Sequence, residues 1–241
     1  MTLTMQVFKA KFIERIQRLK TVESFRFMPH ERIAFVPGQF LQVLFDERNP
    51  GNKELNKYLS FSSSPTKDYI EVTKKLSGSA FSEKLRTLKM GDEISLKAPF
   101  GNCVLKDDYK KIGFLIGGIG ITPVISILEY IADTHLAIDA LLFYSNQTEE
   151  DIAFKKELDS WQSANANIRV VYTVTACEPR DKKCIQGRID KDLFARTVTD
   201  VEQRIFYIFG SSGMVEAMRN ICIESKCIRE NIKTESFIGY S

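Results

Sequence analysis

The sequence is poor in the residues that build metal centres and acid–base sites. Its five cysteines are odd in number and include no Cys-x-x-Cys pair, so we expect neither a disulfide framework nor a zinc or iron–sulfur site. The two histidines, His30 and His135, are far apart and lack acidic or cysteine neighbours at ligand spacing. We therefore predict no bound metal, and neither histidine is predicted to be a catalytic base.

Long apolar runs are also absent. No stretch approaches the roughly 20 apolar residues of a membrane-spanning helix. The first residues, MTLTMQVFKAKFIERI, lack the basic region and apolar core of a secretory signal. We therefore expect a cytoplasmic protein without a membrane span, and we expect no nucleic-acid partner. The oligomeric state is not indicated.

The spacing of apolar residues changes near residue 110. Before it, short alternating runs are separated by turn residues, which is typical of antiparallel strands. These runs, with one helical segment between the second and third, span residues 40–45, 69–76, 79–88 (the helix) and 93–101. After residue 110, apolar strands alternate with amphipathic helices, which predicts a parallel sheet with ligand sites at the carboxyl ends of its strands. We therefore predict an antiparallel β-barrel domain over residues 1–110 and a Rossmann-like α/β domain over residues 111–241.

The segment KIGFLIGGIGITPVISILEYI, Lys111–Ile131, places glycines between an apolar run and an amphipathic pattern. KIGFLI predicts a buried strand, GGIG a tight turn, and Thr122 with Pro123 a helix start in which Thr122 is the N-cap. Such a turn presents backbone N–H groups and the positive end of a helix dipole to a phosphate. The same pattern also occurs where glycines only allow a strand and a helix to pack closely.

Three other segments carry related chemistry. KYLSFSSSP, residues 57–65, ends a strand with a cation and several hydroxyls. KKLSGSAFSEKL, residues 74–85, places small and hydroxyl residues at a helix start, where a phosphate is favoured. YIFGSSGMVEAM, residues 207–218, repeats the strand, glycine turn and helix late in the sheet. One candidate anion site in the barrel and one in the parallel sheet favour two phosphate-bearing ligands.

Taken in order, these motifs resemble the ferredoxin-NADP reductase family, whose members are flavin oxidoreductases with a flavin-binding barrel and a nicotinamide-binding domain. GGIGITP matches the family motif Gly-Gly-x-Gly-x-Thr-Pro, and FGSSGM resembles its Cys-Gly-Pro-x-x-Met turn. The remaining segments that resemble family motifs are PGQF (37–40), KYLSFSSSP, SGSAFSEKL, APFG (98–101) and the terminal strand ESFIGY (235–240). The resemblance covers essentially the whole chain.

The resemblance implies hydride transfer from NADH or NADPH to FAD, and then electron transfer to a separate acceptor such as a ferredoxin, a flavodoxin or an oxygenase component. It implies catalytic roles for Ser60, near flavin N5, and for Thr122, at the ring-stacking site. The implied flavin-binding residues are Lys57, Tyr58, Leu59, Ser60, Val72 and Lys74, with Gly78, Ser79 and Ser82 at a pyrophosphate that favours FAD over FMN. The other implied cofactor-binding residues are Gly118, Gly120, Thr122, Gly210, Ser211, Met214 and Phe237.

The chain departs from the family pattern at two flavin positions. Lys57 stands where the family has arginine, which removes the planar fork for bidentate phosphate contacts. Leu59 stands where the family has tyrosine, which removes aromatic stacking. An electron-transfer or docking subunit of a larger complex, with little turnover of its own, is therefore an alternative. A short-chain dehydrogenase is disfavoured, because no tyrosine is followed by lysine four residues later.

The segment after the second strand of the α/β domain predicts a preference for NADH. Ser145–Gln147 are neutral, Glu149–Asp151 are acidic, and the next cations are Lys155 and Lys156. The 2′-phosphate of NADPH would therefore have no cation to pair with and would lie near carboxylates. The basic loop that contains Arg180, Lys182 and Lys183 is the alternative source of a phosphate contact.

Overall fold

The computed structural model describes residues 4–237, which divide into two compact units. The first contains the residues up to Leu105 together with Thr122–Tyr130, and the second contains Lys106–Ile121 and the residues from Ile131 onward. No helix within residues 4–237 is long and apolar enough to cross a membrane.

The first unit is built on an antiparallel, barrel-like sheet of six strands. The strands are β1 (Gln6–Leu19), β2 (Val22–Pro29), β3 (Phe40–Leu44), β4 (Asn56–Ser60), β5 (Ile70–Lys75) and β6 (Glu93–Phe100). Their order is β4-β3-β6-β1-β2-β5, and one helix, α1 (Ala80–Thr87), lies between β5 and β6 in the chain. The three strands and the helix predicted between residues 40 and 101 are confirmed, whereas the long β1–β2 hairpin was not predicted.

The core of the first unit is aromatic and β-branched. Phe25 on β2 pairs with Val72 on β5 in the strand register, and both side chains are fully buried. Leu59 on β4 belongs to the same apolar cluster, together with Leu41 opposite it on β3. β4 therefore has one face in the core and one face directed away from it, because side chains alternate along a strand.

The second unit contains the predicted parallel sheet. Its strands are β7 (Lys111–Gly117), β8 (Asp139–Asn146), β9 (Ile168–Val174), β10 (Cys184–Gln186), β11 (Ile205–Gly210) and β12 (Ile232–Ser236). Its helices are α3 (Lys155–Ala164), α4 (Lys191–Thr197) and α5 (Ser212–Glu224), and α2 (Thr122–Thr134) follows β7. The strand order is β10-β9-β8-β7-β11-β12, so the chain runs outward from β7 in one direction and then returns to its other side. Ligands of such sheets bind where the order reverses, at the carboxyl ends of β7 and β11.

Two boundaries differ in detail from the sequence prediction. The amphipathic helix predicted after the second strand of this unit begins with a separate 3₁₀ turn over Glu149–Asp151, and α3 follows it, because Phe154 adopts a left-handed backbone with φ of 60°. The predicted terminal strand begins as β12, and its last residues, Ile238–Tyr240, lie outside the described part of the chain.

Candidate functional site

A row of serines at the end of β4 is buried, although such a row commonly faces solvent. Ser60, Ser62, Ser63 and Ser64 are 9%, 2%, 1% and 0% exposed. Ser62 Oγ donates to the Glu71 carboxylate at 3.1 Å, and Ser63 Oγ accepts the Glu71 backbone N–H at 2.9 Å. The Ser60 hydroxyl has no hydrogen-bond partner among residues 4–237. Because Ser60 is the most exposed of the four and its hydroxyl is not used within the described residues, it is the serine of this row that fits a ligand contact.

Two lysines concentrate positive charge beside this row. Lys74 on β5 is only 8% exposed. Its burial, and after that the positive charge of Lys57 on β4, lower the pKa of Lys74 to about 8. The Nζ atom of Lys74 lies 6.0 Å from the ring centroid of Phe81 in the first turn of α1. A phosphate group would favour the charged form of Lys74, and with Lys57 close enough to act on it the pair fits the pyrophosphate of FAD.

The start of α1 supplies the second predicted flavin element. Ser79 is the N-cap, and its Oγ accepts the Ser82 backbone N–H at 3.3 Å. Ser82 is fully buried, and its hydroxyl lies 3.0 Å from that of Ser79, so Ser82 supports the cap from inside. Gly78 is exposed, and nothing lies within 4 Å of a Cβ placed on it. Gly78 and Ser79 thus leave room for a phosphate at the helix start.

The remaining flavin candidates, on β4 and β5, differ in their exposure. Leu59 and Val72 are 4% and 0% exposed and are part of the apolar core. Tyr58 is 56% exposed, and its ring makes edge contacts with Phe40 and Phe100, with centroids 5.7 and 5.3 Å apart. The exposed aromatic residue of this motif is therefore Tyr58.

Three glycines at the carboxyl end of β7, Gly117, Gly118 and Gly120, differ in what surrounds them. A Cβ on Gly120 would lie 2.4 Å from the Phe209 carbonyl oxygen, and one on Gly117 would lie 2.2 Å from the Met214 sulfur. Gly120 requires glycine because a backbone carbonyl packs against it, whereas at Gly117 the close neighbour is the flexible end of the Met214 side chain, which could move away from a Cβ. Gly118 has φ of +50°, is exposed, and has nothing within 4 Å of a Cβ. Both interpretations of the motif thus apply, since Gly117 and Gly120 allow close packing and Gly118 leaves the backbone open to a ligand.

The second glycine turn lies beside the first. β11 pairs with β7, and the Met214 sulfur, which contacts Gly117, lies 3.2 Å from a Cβ placed on Gly210. The Phe237 backbone N–H donates to the Gly210 carbonyl at 2.9 Å. Ser211 is the exposed N-cap of α5. The structure therefore brings all predicted residues of the second unit to the carboxyl ends of β7 and β11.

The prediction that Thr122 is the N-cap of α2 is wrong. Residues Gly118–Ile121 form a 3₁₀ turn that runs directly into the helix, and Ile121 already has helical angles of −65° and −23°. An N-cap needs an extended backbone, so Thr122 becomes the first helical residue and is 4% exposed. Thr122 belongs to the first unit, as does Ser60.

Two residues that the sequence analysis missed lie next to the first glycine turn. The Tyr144 hydroxyl donates to the Gly118 carbonyl at 3.1 Å, and burial raises the pKa of Tyr144, so the phenol stays protonated. Asn146 is two residues further along β8 and therefore on the same face of the sheet. Asn146 is 6% exposed, and its Nδ2 has no hydrogen-bond partner among residues 4–237. The sequence could have indicated Asn146, because it is a polar residue at the carboxyl end of β8, next to the point where the strand order of the sheet reverses.

The acidic turn after β8 is held by the basic loop after β9. The Glu149 carboxylate accepts the backbone N–H groups of Arg180 and Asp181, at 3.1 and 2.7 Å. Lys155 pairs with Asp181 at 2.9 Å. The side chain of Arg180 is in no ion pair within the described residues. The loop therefore does fold back toward the end of β8.

Family models match both halves of the chain. The oxidoreductase FAD-binding domain matches residues 9–105, and the oxidoreductase NAD-binding domain matches residues 114–220. The chain therefore carries an FAD-binding domain followed by an NAD-binding domain.

Known proteins of similar sequence include a flavohemoprotein and a reductase subunit of a monooxygenase. A flavohemoprotein of Oceanobacillus iheyensis is 23% identical over 94% of this chain and 58% of its own length. A glycine betaine monooxygenase reductase subunit of Chromohalobacter salexigens is 25% identical over 93% of this chain and 62% of its own. The chain thus spans about six tenths of the length of these curated relatives. The ferredoxin-NADP+ reductase of Plasmodium falciparum has the same fold, with a TM-score of 0.78, 17% identity, and 96% of both chains covered.

Proposed function

We propose, from the premise that this chain belongs to the ferredoxin-NADP reductase family of flavin oxidoreductases, that it transfers hydride from NAD(P)H to FAD and passes electrons to a separate acceptor. The observation that carries the proposal is that the FAD-binding domain combines Ser60, whose hydroxyl has no hydrogen-bond partner among residues 4–237, with the lysine pair Lys57 and Lys74 on β4 and β5. We keep residues 1–110 and 111–241 as the two functional domains.

The residues present fit FAD. Lys57 and Lys74 would neutralise the pyrophosphate, and the backbone at Gly78 and Ser79 would donate to it. The Ser60 hydroxyl would meet the edge of the flavin ring. Leu59 and Val72, in the apolar core, would support the part of the barrel on which the ring lies. Bound FAD would supply the hydride-accepting ring, and the protein contributes position and electrostatics.

The dinucleotide would lie at the carboxyl ends of β7 and β11. Gly118 offers an open backbone to the pyrophosphate, and the unpartnered Nδ2 of Asn146 offers a donor on the same side as Tyr144. Gly210, Ser211, Met214 and Phe237 would line the nicotinamide half of the dinucleotide site. Thr122 would meet the nicotinamide ring from the start of α2.

NADH is the proposed donor. Glu149–Asp151 place three carboxylates after β8, and Lys155 is already paired with Asp159 and Asp181. A charge-assisted hydrogen bond contributes about 1.5–3 kcal/mol, so a 2′-phosphate without one would bind roughly tenfold to a hundredfold more weakly. Arg180 is the side chain that would reverse this preference.

The acceptor is proposed to be a separate protein or small molecule, because the relatives include a reductase subunit of a monooxygenase. Five free thiols are consistent with a reducing compartment, and we propose a cytoplasmic location. One observation favours a second function, an electron-transfer subunit with little independent turnover. Leu59 lies in the core, so the flavin loses the family's aromatic partner there.

The first experiment is to release the chromophore of the purified protein by heat and identify it by chromatography. We expect one FAD per chain. FMN alone, or no flavin after reconstitution with FAD, would refute the proposed barrel chemistry.

A further inference from the structure

Two hydrogen bonds join the serine row to helix α2 within the first unit. Ser126 Oγ donates to the Ser63 carbonyl at 2.7 Å. The Ser64 backbone N–H donates to Glu129 Oε2 at 2.6 Å, and Lys67 Nζ lies 3.4 Å from Glu129 Oε1. Ser63 and Ser126 are at most 1% exposed, so water is excluded from the bond between them, while the Glu129 side chain that accepts from Ser64 is 16% exposed.

The helix side of this contact is continuous with Thr122. Residues four and three apart on a helix share a face, so Thr122, Ser126 and Glu129 lie along one side of α2. On the other side of the contact, Ser60 is only three residues before Ser63. Only one helical turn on α2 and three positions of the serine row therefore separate the Ser126–Ser63 hydrogen bond from the two proposed catalytic residues.

The turn that follows the serine row is itself ordered. The Ser64 hydroxyl accepts from the Thr66 backbone N–H at 3.1 Å, and the Ser64 carbonyl accepts the Lys67 N–H at 3.1 Å. Arg32 donates to the Pro65 carbonyl at 3.1 Å. The segment from Ser62 to Lys67 is thus a defined structure that Glu129 and Ser126 hold at one end, and it is not a free loop.

We propose that Ser126 and Glu129 are positioning residues for hydride transfer, which fix Thr122 relative to Ser60; this rests on the proposed function. Transfer requires the reacting atoms to be held about 3–3.5 Å apart, and a misplacement of about 1 Å can reduce the rate roughly a hundredfold. Neither residue is assigned to touch a cofactor. Their loss should therefore slow the transfer step and leave the binding of both cofactors unchanged.

The test compares Glu129→Gln, Glu129→Ala and Ser126→Ala with the control Asp133→Asn, which removes a carboxylate from an exposed position one turn further along α2. In the apoprotein, amide exchange of residues 61–67 should accelerate in Glu129→Ala and remain unchanged in the control. In the FAD-loaded protein, stopped-flow reduction by NADH should slow about tenfold or more in Glu129→Ala, with the dissociation constant for NADH unchanged. Glu129→Gln, whose amide oxygen still accepts from Ser64, should recover part of that rate.

Ser126→Ala provides an independent variant if Glu129→Ala is poorly folded. Faster amide exchange together with a wild-type reduction rate would overturn the inference while the proposed function stands. A wild-type protein that dithionite reduces but NADH does not would refute the proposed function, and the inference with it. An unprotected Ser64 amide in the wild-type apoprotein would refute the contact itself.

Discussion

The pH dependence of FAD binding tests the role of Lys74. In the apoprotein, burial and the charge of Lys57 lower the pKa of Lys74 to about 8. A bound pyrophosphate raises that pKa, so FAD binds the protonated lysine more tightly. The affinity is therefore fully present below about pH 8 and falls as the pH rises through this value. If Lys74 stays protonated in the complex, the dissociation constant should rise about tenfold between about pH 7 and about pH 9.

The assay is titration of the apoprotein with FAD, followed by flavin fluorescence, for wild type, Lys74→Met and Lys75→Met. Lys75 is adjacent and exposed, which makes Lys75→Met the matched control. Lys74→Met should bind roughly tenfold to a hundredfold more weakly at about pH 7, because it loses a charge-assisted hydrogen bond, and should lose most of the pH dependence. A wild-type affinity that does not change between these pH values, or the same slope in Lys74→Met, would refute this assignment.

Three further predictions address the other elements of the site. Ser60→Ala should slow flavin reduction about tenfold to a hundredfold with FAD content unchanged; equal rates would leave Ser60 as packing only. Gly120→Ala should lower the melting temperature strongly, since its Cβ would meet the Phe209 carbonyl at 2.4 Å. The control Gly213→Ala lies in open space on α5 and should stabilise the protein by about 0.5–1 kcal/mol. Similar effects of the two substitutions would contradict the packing role of Gly120. The ratio of kcat/KM for NADH to that for NADPH at low salt should exceed about ten; a ratio that favours NADPH and reverses in Arg180→Ala would assign the 2′-phosphate to the basic loop.

Much of the fold was predictable because each half follows one periodicity. The runs over residues 40–45 and 93–101 alternate as half-buried strands do, and GGIG and FGSSG mark strand-to-helix turns of the parallel sheet. The β1–β2 hairpin was not predicted, since only two of the 14 residues of β1 are buried and the strand mixes charged and apolar residues without strict alternation.

The site was less predictable, because burial and partners depend on distant segments. The glycine motif gave no means of separating Gly118, which is open, from Gly120, which packs against Phe209 on another strand. The N-cap assignment of Thr122 failed because a 3₁₀ turn preceded it. Glu129 carried no motif, and its contact with Ser64 joins positions 65 residues apart.

The most direct test of the central claim is anaerobic stopped-flow mixing of the FAD-loaded protein with NADH deuterated at either C4 position. The proposed function predicts that the flavin absorbance is bleached in a single turnover, with a primary isotope effect from one of the two C4 positions only. A flavin that dithionite reduces but NADH does not, or that NADH bleaches with no isotope effect from either position, would contradict hydride transfer by this protein.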